Sequence, residues 1–238
     1  MVLIDTHSHL FAEEFNSDRI DVLKKAEEAG IKYHVMPNVD SSTTEHLLKV
    51  SRDFPQCFPL MGLHPTSVKN DFEREILHVE EMLTHSKFYG IGEIGIDLYW
   101  DKTHFEQQKI AFRHQLRLAK KYNLPAVIHS RNSFDEIFEI VDEEIDSTLK
   151  GVFHCFTGSV EQYRHIQEYK TFKVGIGGVV TYKNGGIGNI LHEISLNNIL
   201  LETDSPYLSP VPVRGKRKES AYIPIIASSV AALKHTSL

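Results

Sequence analysis

The feature that most constrains the fold is a rhythm. Short, β-branched apolar runs recur along the chain, with amphipathic segments of helical spacing between them. The runs fall at residues 2–4, 33–36, 58–63, 89–96, 127–128, 152–153, 172–176 and 199–201. Helices are predicted over 17–29, 43–52, 72–83, 105–121, 134–145, 160–169, 187–194 and 221–233. Ser17 reads as a possible N-cap of the first and Gly30 as its stop. The strongest pattern is 105–121, where Phe105, Phe112, Leu116 and Ala119 share one face.

Strands alternating with helices argue for parallel βαβ units. Eight such units in 238 residues match a (β/α)8 TIM barrel, with a doubly wound open sheet as the competitor. No Ser/Gly/Pro-rich linker divides the chain, so a single α/β domain is expected over residues 1–238. The 41% hydrophobic and 24% charged content excludes a disordered chain. A net charge of -6 excludes a broadly basic nucleic-acid-coating protein but leaves room for a local phosphate site. The longest uncharged stretch, residues 54–68, holds three prolines and is too short to span a membrane. The N-terminus shows no basic region followed by a long apolar run, and Cys57 and Cys155 read as reduced thiols. A cytoplasmic location is the expectation.

The 14 histidines are the compositional excess that justifies a search for a metal site. The run Gly90-Ile91-Gly92-Glu93-Ile94-Gly95 matches GxGxxG, but no helix opens at Gly95, so it is not a dinucleotide fingerprint. His7-Ser8-His9 is a pair that arises easily by chance at this histidine content. It directly follows the first strand, however, where i and i+2 point to one side. His64, Glu93 with Asp97, His129, His154, and Glu202 with Asp204 close further strands. In a barrel, six of eight strand ends would thus bring metal-capable or titratable groups to one face. Gathering them without a cation to offset the carboxylates would be costly.

These groups sit in Asp5-Thr6-His7-Ser8-His9-Leu10, Gly62-Leu63-His64-Pro65, Gly92-Glu93-Ile94-Gly95-Ile96-Asp97, Gln108 with Phe112 and Gln115, Ile128-His129-Ser130-Arg131, His154-Cys155-Phe156-Thr157-Gly158 and Leu201-Glu202-Thr203-Asp204-Ser205-Pro206-Tyr207-Leu208. In that order, and over essentially the whole chain, the sequence resembles the TatD-type metal-dependent deoxyribonucleases. The resemblance implies an amidohydrolase-type TIM barrel. It also implies one divalent ion on His7, His9, Glu93 and Asp204, and a second on Glu93, His129 and His154. Phosphotriesterase-like relatives bridge such a pair with a carboxylated lysine, and Glu93 at that place favours the TatD branch. Two departures stand out. The usual Arg-Gly-Lys-Arg-Asn is here Arg214-Gly215-Lys216-Arg217-Lys218, and the resemblance implies a final C-terminal helix that residues 1–238 do not include.

The expected chemistry is hydrolysis of phosphodiester bonds, as a 3′–5′ exonuclease on single-stranded DNA, with two divalent ions drawn from Zn, Mn, Mg, Ni or Fe. Asp204 is the candidate base, and Glu202 could orient a ligand or help move the proton. Asp97 reads either as fixing an imidazole tautomer or as capping the loop after it. His64 and Arg131 could contact phosphate oxygens, and Tyr99 and Trp100 could stack on an end base. The basic run Arg214, Lys216, Arg217 and Lys218 could guide a polyanion, or be a solvated loop. A small-molecule ester, amide or lactone hydrolase, and a non-catalytic metal-binding barrel, remain alternatives. No membrane or protein partner is implied.

Overall fold

A computed structural model describes residues 2–211 and 213–237. Eight strands are all parallel to their neighbours: β1 Leu3–Asp5, β2 Ile31–Met36, β3 Cys57–Pro59, β4 Ile91–Asp97, β5 Ala126–Arg131, β6 Gly151–Phe153, β7 Phe172–Ile176 and β8 Ile199–Leu201. Hydrogen-bonded neighbours run β1-β2-β3 and β4-β5-β6-β7-β8. A Met61–Ile91 bridge joins the two groups. The ring closes where Thr6 N–H donates to Leu201 O at 3.1 Å and Ser8 pairs with Ser205. Strand order therefore follows chain order around a closed barrel. A doubly wound sheet would reverse at a switch point, so the open-sheet competitor is excluded.

Helices α1 Arg19–Glu28, α2 Ser41–Asp53, α3 Phe72–His85, α4 Phe105–Tyr122, α5 Phe134–Glu144, α6 Val160–Glu168, α7 Ile187–Ile190 and α8 Ile223–Leu233 complete the units. Three of the sequence expectations shift. Asp18, not Ser17, stands at the N-terminus of α1, with no side-chain cap. Of the run 58–63 only Phe58 and Pro59 lie in β3; Leu60 N–H still donates to Met36 O at 2.8 Å, and Met61 then bridges to Ile91. The segment 187–194 holds one short helix and then a 3₁₀ turn, Leu191–Glu193.

The main core lies between the strands and the helices. A second cluster, Leu60, Val127 and Val152 with the half-buried Val35 and Leu200, draws one residue from each of five chain segments. Val127, Val152 and Leu200 each stand two residues before His129, His154 and Glu202. Period-2 alternation therefore stacks these three polar groups on an apolar floor inside the barrel.

The closing seam is polar and buried. Asp5 accepts from Thr203 N–H at 2.9 Å, from Thr203 Oγ1 at 2.5 Å and from Ser220 Oγ at 2.6 Å. Burial pushes its carboxyl up to about 6 despite those bonds. Among the described residues no helix is long and apolar enough to cross a membrane.

Candidate metal centre

Glu93 is the third residue of β4, not its end, and a register irregularity between Ile91 and Ile94 turns it toward the mouth. Its carboxylate divides its two oxygens between two sets of imidazoles. Oε2 lies 3.1 Å from His7 Nε2 and 3.7 Å from His9 Nε2. Asp204 Oδ1 lies 3.6 Å and 3.4 Å from the same two nitrogens, which are 3.3 Å from each other. Four donors at about 2.0–2.2 Å around one tetrahedral ion stand about 3.3–3.6 Å apart. The spacing here is that of a cage that fits a single cation.

Oε1 faces the other set: His129 Nδ1 at 2.8 Å, His154 Nε2 at 3.3 Å and His64 Nε2 at 3.4 Å. The structure therefore brings His64 into contact with the carboxylate, whereas sequence reasoning kept it apart as a phosphate contact. His64 Nδ1 accepts from Thr66 N–H at 3.1 Å, which leaves the proton of the neutral ring on Nε2. His7, His9, Glu93 and His154 are all buried.

A second layer of groups aims these side chains. His129 Nε2 lies 2.9 Å from Asp97 Oδ2, while Asp97 Oδ1 accepts from the Tyr99 and Trp100 N–H groups. Asp97 thus does both things that its position suggested. Glu202 does not line the open mouth. It stands behind His154, with Oε1 at 3.1 Å from Nδ1 and accepting from Cys155 N–H. A methyl on Gly175 would come 2.1 Å from Glu202 Oε2, so the absence of a side chain there makes this placement possible. Asp204 takes φ +60°, a left-handed conformation that Asp tolerates better than most residues.

Charge follows this geometry. Burial opposes ionisation of Glu93, but His154, His64 and His7 outweigh it and hold the carboxyl well below the usual range. Burial also opposes ionised Asp204, and the hydrogen bond from His9 with the charges of His154 and His7 keeps it low. Burial lowers His7 and His64. His129 and His154 are raised, because their carboxylate partners overcome burial. A divalent cation has to displace the protons that these rings attract.

Three supports stand out to which sequence reasoning gave no role, though it named Gln108 and Gln115. Gln115 Oε1 accepts from Leu63 N–H at 2.7 Å, and Gln108 Oε1 accepts from Asp97 N–H at 2.9 Å. They lie seven residues apart on the buried face of α4 and brace the segments carrying His64 and Asp97. Asn38, two residues past β2, accepts the Glu93 N–H on its backbone oxygen at 3.1 Å. Two amides at i and i+7 on an apolar helix face were the available signal for the glutamines.

Arg131 ends β5 at the rim. Its guanidinium lies 3.8 Å from the Tyr99 ring centroid and 5.2 Å from that of Trp100. The basic run after β8 is less open than its sequence suggests. Arg217 is held by Asp18 and Glu219, and Lys218 is fully buried. Lys218 Nζ has no hydrogen-bond partner among the described residues and occupies space that a Cβ on Gly178 would approach to 2.8 Å. Burial lowers its pKa more than Asp204 and Asp5 raise it. The fold therefore disfavours the charged form, and this penalty applies below the folded pKa. Lys218→Met is expected to raise the melting temperature by about 2–4 °C at neutral pH, as about 1 kcal/mol would. The gain should fade as pH rises toward the ordinary ammonium range. A lower melting temperature at pH 7 would show that attraction to the acids dominates.

Comparison with known proteins agrees with this architecture. The family model described as TatD related DNase matches residues 4–238. The metal-dependent hydrolase YabD of Bacillus subtilis (strain 168) is 35% identical over 234 residues, covering 98% of this chain and 91% of the relative. The 3′-5′ ssDNA/RNA exonuclease TatD of Salmonella typhimurium is 28% identical, over 96% of this chain and 90% of its own length. The crystal structure of YjjV, a TatD homologue from Escherichia coli K12, superposes with TM-score 0.91 at 27% identity, covering 97% of this chain and 90% of that one. With a family match over nearly its whole length, the chain belongs to the TatD-related DNase family of metal-dependent hydrolases.

Proposed function

We propose that the chain is a 3′–5′ exonuclease on single-stranded DNA, hydrolysing phosphodiester bonds with two divalent cations. The observation that carries this reading is the split of Glu93 between two donor groups, Oε2 toward His7, His9 and Asp204, Oε1 toward His129 and His154. Mixed imidazole and carboxylate donors suit Zn, Mn, Ni or Fe, and Mg can serve in vitro. Bound there, such cations supply Lewis acidity at the phosphoryl oxygen and lower the pKa of water. The Salmonella relative's name gives the substrate class its support.

The protein groups have separable tasks. Asp204 Oδ1 faces His7 and His9, while Oδ2 makes no hydrogen bond among the described residues. Oδ2 is the atom that takes the proton from water, and the neighbouring imidazoles keep it ionised to do so. Glu202 is a positioning residue that holds His154 by Nδ1. His64, with the proton of its neutral ring on Nε2, is a donor to a phosphate oxygen that would compete with Glu93 Oε1 for that N–H. Arg131, whose guanidinium makes no ion pair among the described residues, is a second donor, and Tyr99 and Trp100 beside it offer faces to a terminal base.

Digestion of a 5′-labelled single-stranded oligonucleotide with Mg²⁺ or Mn²⁺ is expected to give a ladder that shortens from the 3′ end and disappears with EDTA. Intact oligonucleotide from folded, metal-loaded protein, together with turnover of a small ester or lactone, would overturn the nuclease reading.

A further inference from the structure

We propose that a groove on the β8 rim binds the part of a single-stranded nucleic acid that lies on the far side of the scissile phosphate from the Tyr99–Trp100 platform. This rests on the phosphodiesterase reading above. Barrel topology supplies the first argument. Tyr99 and Trp100 follow β4 and Arg131 ends β5, whereas most of the groove's lining follows β8. Three strands lie between β4 and β8 either way round a ring of eight, so the two places lie on opposite rims of one mouth. A strand laid across that mouth passes over Glu93 and Asp204.

The groove itself has the chemistry for such a strand. It is an open depression of about 540 Å³ between Tyr182, Tyr207, Leu208, Arg214 and Lys216. It starts three residues past Asp204, where Tyr207 N–H donates to Asp204 O at 2.8 Å. The Tyr207 ring centroid is 6.1 Å from that of His9, so one wall of the groove adjoins the metal centre. Tyr207 is 53% exposed and Leu208 43%, an open apolar wall beside a polar site. Arg214 stacks on Tyr182, 4.7 Å from the ring centroid, and the Tyr182 hydroxyl is tied to Ser209 O at 2.7 Å.

Charge separates this segment into two parts. Arg217 is engaged by Asp18 and Glu219 and carries no net attraction outward. Neither Arg214 nor Lys216 makes an ion pair or side-chain hydrogen bond among the described residues, and both are exposed. Against them the groove holds one acid, Glu14. Two cations with aromatic faces at hand match phosphates with unpaired bases between them. A duplex has no free base faces to offer such walls.

The test pairs binding with turnover, using the exposed double variant Arg214→Ala, Lys216→Ala. Binding of a fluorescein-labelled single-stranded DNA dodecanucleotide is read by anisotropy in EDTA, where hydrolysis is off. The variant is expected to bind at least tenfold more weakly. The slope of log affinity against log salt should become shallower by about 1.4, the share of two phosphate contacts on a single strand. With Mn²⁺ present, kcat/KM on the dodecanucleotide should fall at least tenfold relative to kcat/KM on bis(p-nitrophenyl) phosphate, which has one phosphate only. Unchanged affinity and salt slope would overturn the groove's role, even with hydrolysis intact. Weakened binding in a protein that hydrolyses neither compound would uphold the groove and sink the phosphodiesterase reading instead.

Discussion

Glu93→Gln is expected to lower turnover at least a thousandfold, equivalent to about 4 kcal/mol of lost transition-state stabilisation. The substitution keeps volume and hydrogen bonding but leaves one oxygen where there were two. In the wild-type protein Oε2 serves His7 and His9 and Oε1 serves His129, His154 and His64. An amide must present N–H₂ to one of those groups, where a second carboxylate oxygen is needed. Metal content after dialysis, measured by plasma mass spectrometry, should drop together with turnover. Full metal content with turnover within tenfold of wild type would remove Glu93 from its bridging position.

Asp204→Asn should be nearly as damaging, for a different reason. The amide oxygen can still face His7 and His9, so more of the metal is retained than in the Glu93 variant. The atom proposed to accept the proton is lost, and kcat should fall by about three orders of magnitude with a smaller change in KM. The backbone at φ +60° suits Asn as well as Asp, so the thermal transition should stay in place. Appreciable kcat in the metal-loaded variant would assign the base elsewhere, with Glu202 excluded by its place behind His154.

Much of this centre is visible in the sequence because the barrel rule is local. A residue that closes an apolar run in a βα repeat arrives at the mouth, and His7, His9, His64, His129, His154 and Asp204 all do so. Roles that depend on depth were not visible. Glu202 and Asp204 share one strand end, yet one faces the mouth and the other backs His154. Lys216, Arg217 and Lys218 are adjacent cations, but one is exposed, one paired and one buried. Residue type gives the chemistry that a side chain can perform. Its neighbours in space decide whether that chemistry is available, and the glutamines of α4 show how far from the site those neighbours start in the chain.

The seam between β8 and β1 has a consequence for synthesis. Asp5 and Thr203 are 198 positions apart, and Asp204 N–H reaches back to His7 O at 2.8 Å. The histidines made first are therefore completed by residues made near the end. A chain still on the ribosome, or cut short before Asp204, carries five of the six proposed ligands and no closed ring to hold them. Long-range closure of this kind is slow relative to local helix formation. A metal-dependent hydrolase built this way cannot gather its candidate metal ligands until its last strand is in place.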